Sequence, residues 1–98
     1  MTMYMLYRSK AKSSEELDEL RLKFEEIYKR HKVDIVGFWV NAEDESEAYY
    51  MSKYENEEHY KRTVATLRKD EDYVRLGAEL EKTRVENESK RLIPKWIP

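Results

Sequence analysis

Apolar positions along the chain change their period several times, and each change marks a predicted element. Tyr4-Met5-Leu6-Tyr7-Arg8 is short, aromatic-rich and free of Gly and Pro, so it predicts a strand with Met3, Met5 and Tyr7 on one face and Tyr4, Leu6 and Arg8 on the other. The spacing then becomes helical. Ser13 and Glu16 stand at the separation of a capping box, and Leu17, Leu20, Phe24, Ile27 and His31 recur every three or four residues up to His31-Lys32. Val33–Val40 is the most β-like stretch; simple alternation puts Ile35 and Trp39 on one face and Val36, Phe38 and Val40 on the other, with a bulge or close approach expected at Gly37. Polar Asn41–Glu47 predicts a hairpin connection and Ala48–Tyr54 a third strand, with Tyr49 and Met51 opposing Ala48, Tyr50 and Tyr54. Asn56 is placed to cap a helix carrying Tyr60, Val64 and Leu67, and Asp70 or Asp72 starts a further helical segment with Tyr73, Val74, Leu76 and Leu80. Arg84–Ile93 alternates weakly and predicts an edge or crossing strand that Pro94 ends.

This β-α-β-β-α-β order is that of a ferredoxin-like α+β domain, with helices on one face of a four-stranded antiparallel sheet and the whole chain, 1–98, forming one domain. A sheet with one wet face alternates cleanly between apolar and polar residues. The first three strands are apolar on both faces, so the face away from the helices requires cover, and a second copy of the chain is the simplest cover.

Charge and composition narrow the function. Nineteen Lys and Arg are interspersed with twenty-one Asp and Glu, which argues against a nucleic-acid-binding surface. The absence of Cys removes disulfides and thiolate metal sites, while no apolar run reaches bilayer length and the N-terminus lacks a signal-peptide pattern. A cytoplasmic protein without membrane contact is expected. No Gln and three Asn among many charged residues lean toward a heat-stable chain.

Several residues are candidates for chemistry. His31 closes the apolar stripe of the first helix, as a pocket acid or base or as a helix-end residue that suits the dipole. His59 and Glu55 are four residues apart, but no further ligand accompanies them, so no metal site is expected. Eight tyrosines can cover a sheet or line a pocket; Tyr28 and Tyr50 are the two best placed for a pocket, and Trp39 serves equally as packing or as a wall. Asn41 can orient a substrate or shape a turn. No nucleophile elbow or Gly-rich phosphate loop is present.

Three stretches resemble the NIPSNAP family of the dimeric α+β barrel superfamily: Val33–Val40 with its Gly-Phe-Trp element, Tyr54-Glu55 with His59, Arg62 and the turn Asp70-Glu71-Asp72-Tyr73, and Leu92-Ile93-Pro94 to Pro98, where Ile97 replaces the usual Ser. The resemblance implies a homodimer whose sheets meet in an α+β barrel, with a pocket in each subunit between sheet and helices. It supplies no catalytic residues. Superfamily relatives include cofactor-independent monooxygenases, haem-degrading monooxygenases and sensing domains. The haem-degrading group carries a ligand His late in the second helical region, where this chain reads Tyr73-Val74-Arg75-Leu76-Gly77, so no cofactor is expected. The leading expectation is a small apolar or aromatic ligand held by Phe24, Ile27, Tyr28, His31, Trp39 and Tyr50. The alternative is a cofactor-independent monooxygenase or isomerase acting on an aromatic substrate, with His31 as its base.

Overall fold

The computed structural model describes residues 2–98. Its elements run β1 (Met3–Ala11), α1 (Ser14–Arg30), β2 (Asp34–Asn41), β3 (Asp44–Tyr54), α2 (Glu57–Arg68), α3 (Glu71–Thr83) and β4 (Arg84–Leu92). The four strands form one antiparallel sheet in the order β2-β3-β1-β4, so the second helical region is two helices and the expected α+β, ferredoxin-like arrangement holds.

Local chemistry starts each helix where the sequence signals it. Ser13 Oγ accepts from the Glu16 N–H at 3.3 Å, and Asn56 Oδ1 accepts from the His59 N–H at 2.8 Å. Asp70 Oδ1 accepts from the Asp72 N–H at 2.9 Å, which settles the start of α3. Helix α1 ends in a Schellman turn. There the Val33 N–H donates to the Tyr28 carbonyl at 2.9 Å, the Lys32 N–H donates to the Lys29 carbonyl at 3.2 Å, and Lys32 takes a left-handed φ of 56°. This turn drops Val33 onto the core and leads the chain into β2.

One sequence expectation is corrected here and another is resolved: of the bulge or close approach expected at Gly37, the close approach is what Gly37 shows. The connection between β2 and β3 is only Ala42-Glu43, because polar residues of the expected loop pair across strands: Asn41 opposes Asp44, and Glu47 opposes Lys10. The bulge lies at Val36, since Ile35 pairs with Ser52 and Gly37 with Met51. One extra residue reverses the alternation beyond it. Ile35 therefore joins Phe38 and Val40 on the helix side, while Trp39 alone turns to the open face, where its indole lies over Gly37. A Cβ on Gly37 would stand 2.6 Å from Trp39 Cζ2.

The core between the layers has three parts. Leu20, Ile27, Leu67 and Leu76 join the helices to one another; Met3, Met5 and Tyr54 seat α2; Ala11, Leu17 and Ala48 seat the start of α1. On the open face Leu6 lies opposite Met51, with Trp39 nearby on β2. Arg8 pairs there with Glu47 at 2.7 Å, and the Tyr49 hydroxyl donates to the same carboxylate at 2.6 Å. Strand β4 is almost wholly exposed and rich in charge, and it carries its own bulge at Val85, because Lys10 pairs with Glu86 and Ala11 with Arg84.

Candidate functional site

A cavity of about 770 Å³ opens between the sheet and helices α1 and α3. Leu17, Leu20, Phe24 and Tyr28 reach it from α1; Tyr73, Gly77 and Leu80 from α3; Tyr7, Ile35, Phe38 and Tyr50 from the sheet. Its size falls within the ~300–1,000 Å³ typical of small-molecule sites. Gly77 is one reason for the space, since a Cβ there would meet nothing within 4 Å.

The walls form a continuous aromatic surface. Tyr7 and Tyr50, directly opposed on β1 and β3, stack with ring centres 4.5 Å apart and planes 11° from parallel. Tyr28 lies 6.0 Å beyond Tyr50, Phe24 a further 6.0 Å on, and Tyr73 meets Phe24 edge-on. The Arg21 guanidinium lies 5.2 Å from the Phe38 ring centre and is neutralised by Asp18 and Glu25 at 3.0 and 2.6 Å.

Polar chemistry inside is concentrated in phenols. The Tyr28 and Tyr50 hydroxyls stand 3.3 Å apart. One O–H proton is used between them, which leaves the other free to donate to a guest. Burial pushes the phenols of Tyr7, Tyr28 and Tyr50 above the ordinary tyrosine range. They are therefore neutral hydrogen-bond donors at physiological pH and not bases.

Of the residues that the sequence suggests for a pocket, Phe24, Tyr28 and Tyr50 come together in the cavity. Three others do not. Ile27 shares the α1 stripe but is 2% exposed and belongs to the interhelical core with Leu67 and Leu76. Trp39 is turned to the opposite face by the Val36 bulge and is 49% exposed. His31 lies outside the cavity because Asp70, 39 residues away in sequence, holds its Nε2 at 2.7 Å. Its candidacy as a base toward a ligand in the cavity lacks the required proximity. Asn41 likewise donates to Glu47 at 3.2 Å and shapes the hairpin. Sequence reasoning missed Tyr73, Gly77, Leu80 and Arg84 as lining residues, although their spacing of three or four residues, with a glycine where the stripe needs a side chain, is a readable signal.

His59 Nδ1 accepts from the Glu55 N–H at 3.0 Å, and its ring meets Tyr54 edge-on. Among the described residues no three His, Asp or Glu side chains come together as metal ligands, and no helix is long and apolar enough to cross a membrane.

Asp70 ties the end of α1 to the start of α3. It accepts from His31 and, at 2.9 Å, from Arg30, while its other oxygen caps α3. Chiefly the His31 hydrogen bond, helped by the backbone N–H groups of Tyr73 and Asp72 and by Arg30, holds its carboxyl down to about 2. A depressed carboxyl stabilises the fold above its unfolded value of roughly 3.9 and loses that contribution as the pH falls toward the folded value. Thermal melts between pH 6 and pH 2 should show the wild type losing stability between about pH 4 and pH 2 relative to Asp70→Asn, which keeps the cap but cannot ionise. Parallel profiles would remove Asp70 from the acid response.

Two layers of α+β structure enclosing an aromatic cavity define a ferredoxin-like pocket domain. The NIPSNAP family model matches residues 4–96, and the chain belongs to the NIPSNAP family. Among solved structures it is similar to a NIPSNAP family protein from Agrobacterium tumefaciens at 15% identity and a TM-score of 0.84, covering 97% of this chain and 94% of that one. A NIPSNAP-like domain protein from Burkholderia xenovorans follows at 14% identity and a TM-score of 0.78, covering 99% and 89%. A mutant form of SnoaB, a cofactor-independent oxygenase from Streptomyces nogalater, superposes with a TM-score of 0.78 at 8% identity, covering 98% and 95%. A comparison with curated protein sequences finds no match.

Proposed function

We propose that this NIPSNAP protein binds a flat, largely apolar aromatic molecule in the cavity between the sheet and helices α1 and α3. The observation that carries the reading is the cavity itself: about 770 Å³ walled by stacked rings, with a phenol pair that keeps one donor free. Aromatic walls favour a planar guest by ring stacking, and the hydroxyl fixes its orientation. The protein acts as a homodimer in this reading, with Leu6, Met51 and Trp39 of each open face meeting their counterparts. Two of the charges beside that stripe suit such burial, because Arg8 and Glu47 are already paired within the subunit.

Calorimetric titration with 2-naphthamide, a neutral two-ring probe, tests the cavity. One site per chain is expected, and Gly77→Phe, which projects a ring into the space, should abolish it while the fold is retained by circular dichroism. Absence of saturable binding, or binding indifferent to Gly77→Phe, would overturn the reading.

The fold likeness to SnoaB supports a second reading, a cofactor-independent monooxygenase or isomerase for an aromatic substrate. Its proton acceptor would have to be a group other than His31, which is engaged by Asp70 away from the cavity. Incubation with a polycyclic phenol separates the readings: a monooxygenase consumes dissolved oxygen, an isomerase alters the substrate without consuming oxygen, and a binding protein does neither.

A further inference from the structure

Among the ion-paired cations that line the cavity, Arg8 and Arg21 each meet two carboxylates, whereas Arg84 meets one. It stands where α3 passes into β4, opposite Ala11 on the helix side of the sheet, and its side chain is 20% exposed. It joins the aromatic residues in lining the cavity. Among the described residues its one carboxylate partner is Glu81, which is itself 63% exposed and keeps its hydration. A guanidinium has five N–H donors in a fixed fork, so one contact with a solvated carboxylate leaves most of them unused. Arg21 differs, because two carboxylates satisfy it and its charge faces the Phe38 ring.

The geometry points to Arg84 as an anion anchor, and to an aromatic carboxylic acid as the class of ligand: rings along the Tyr7–Tyr50–Tyr28 wall, carboxylate on the Arg84 fork. This rests on the cavity being a ligand site, as proposed above, and specifies what that site selects. Burial works against the charge on Arg84. An incoming carboxylate relieves that cost, which a neutral ligand leaves in place. The neighbouring phenols are neutral and do not repel the anion; Glu81, which also lines the cavity, is the carboxylate it must share the Arg84 fork with or displace.

The experiment compares two probes of nearly equal shape, 2-naphthoate and 2-naphthamide, on the wild-type protein and on Arg84→Gln and Arg84→Lys, with circular dichroism verifying each fold. Wild type should bind 2-naphthoate at least tenfold more tightly than 2-naphthamide. Arg84→Gln should erase that preference by weakening the acid alone, and Arg84→Lys, which keeps the charge but not the fork, should retain part of it. Equal wild-type affinities would overturn the anchor while leaving the cavity reading intact. A preference for the acid that persists in Arg84→Gln would also overturn it, as would equal weakening of both probes. If wild type binds neither probe, the cavity reading fails and the anchor fails with it. Equal wild-type affinities overturn the anchor even where a variant does not fold, and Arg84→Lys supplies the assignment where Arg84→Gln does not fold.

Discussion

Ile27→Ala is expected to lower the melting temperature by roughly 10–25 °C while leaving 2-naphthamide affinity unchanged in the protein that remains folded. Ile27 lies on the same helical stripe as the cavity residues Phe24 and Tyr28, yet its side chain is directed into the contact with Leu67 and Leu76. Removing a buried aliphatic side chain from such a contact costs about 2–5 kcal/mol, part lost transfer energy and part the void left behind. Differential scanning fluorimetry gives the first quantity and titration at 15 °C the second. A large loss of affinity with little loss of stability would move Ile27 from the core to the ligand site.

The second large effect concerns assembly. Trp39 is about half exposed in the single subunit, so Trp39→Asp should leave the subunit folded. In a dimer built on the open faces the same change buries an unpaired carboxylate, which costs about 3–5 kcal/mol where no partner is at hand. Sedimentation equilibrium should therefore show a wild-type dimer and a variant whose dimer dissociation constant is raised at least about 100-fold, as two or more factors of 1.4 kcal/mol require. A wild-type monomer, or a variant that assembles as tightly as wild type, would remove the open face from the proposed interface.

Much of the fold is legible in the sequence because its signals are local. Ser13, Asn56 and Asp70 act on N–H groups two or three residues away, and the helical stripe of α1 needs only its own spacing. What is not legible depends on distant pairing. The face of Trp39 is decided by a single extra residue on β2, which alternation within the strand cannot register. The polar stretch after Asn41 looks like a loop until its residues find their partners across the sheet, Glu47 with Arg8 above all. His31 shows the same limit within the candidate site. Its stripe places it on the correct side of α1, but Asp70 determines what its imidazole touches. Arg84 is hidden for a related reason: a basic residue at a helix–strand junction is ordinary in sequence, and only the packing of α3 on the sheet makes it a cavity residue.

The bulges at Val36 and Val85 have a consequence beyond re-aiming side chains. They fall on β2 and β4, the strands whose outer backbone groups have no neighbour in the sheet, and each places a valine, Val36 or Val85, out of register at that rim. A kinked rim is a poor template for another chain, and the charged, hydrated side chains of β4 add a cost to covering that edge. Ribbon-like growth by strand addition is discouraged at both ends of the sheet. An antiparallel sheet with apolar residues on both faces would otherwise be at risk of fibrous aggregation, and blocked rims favour the broad face for the self-association proposed above.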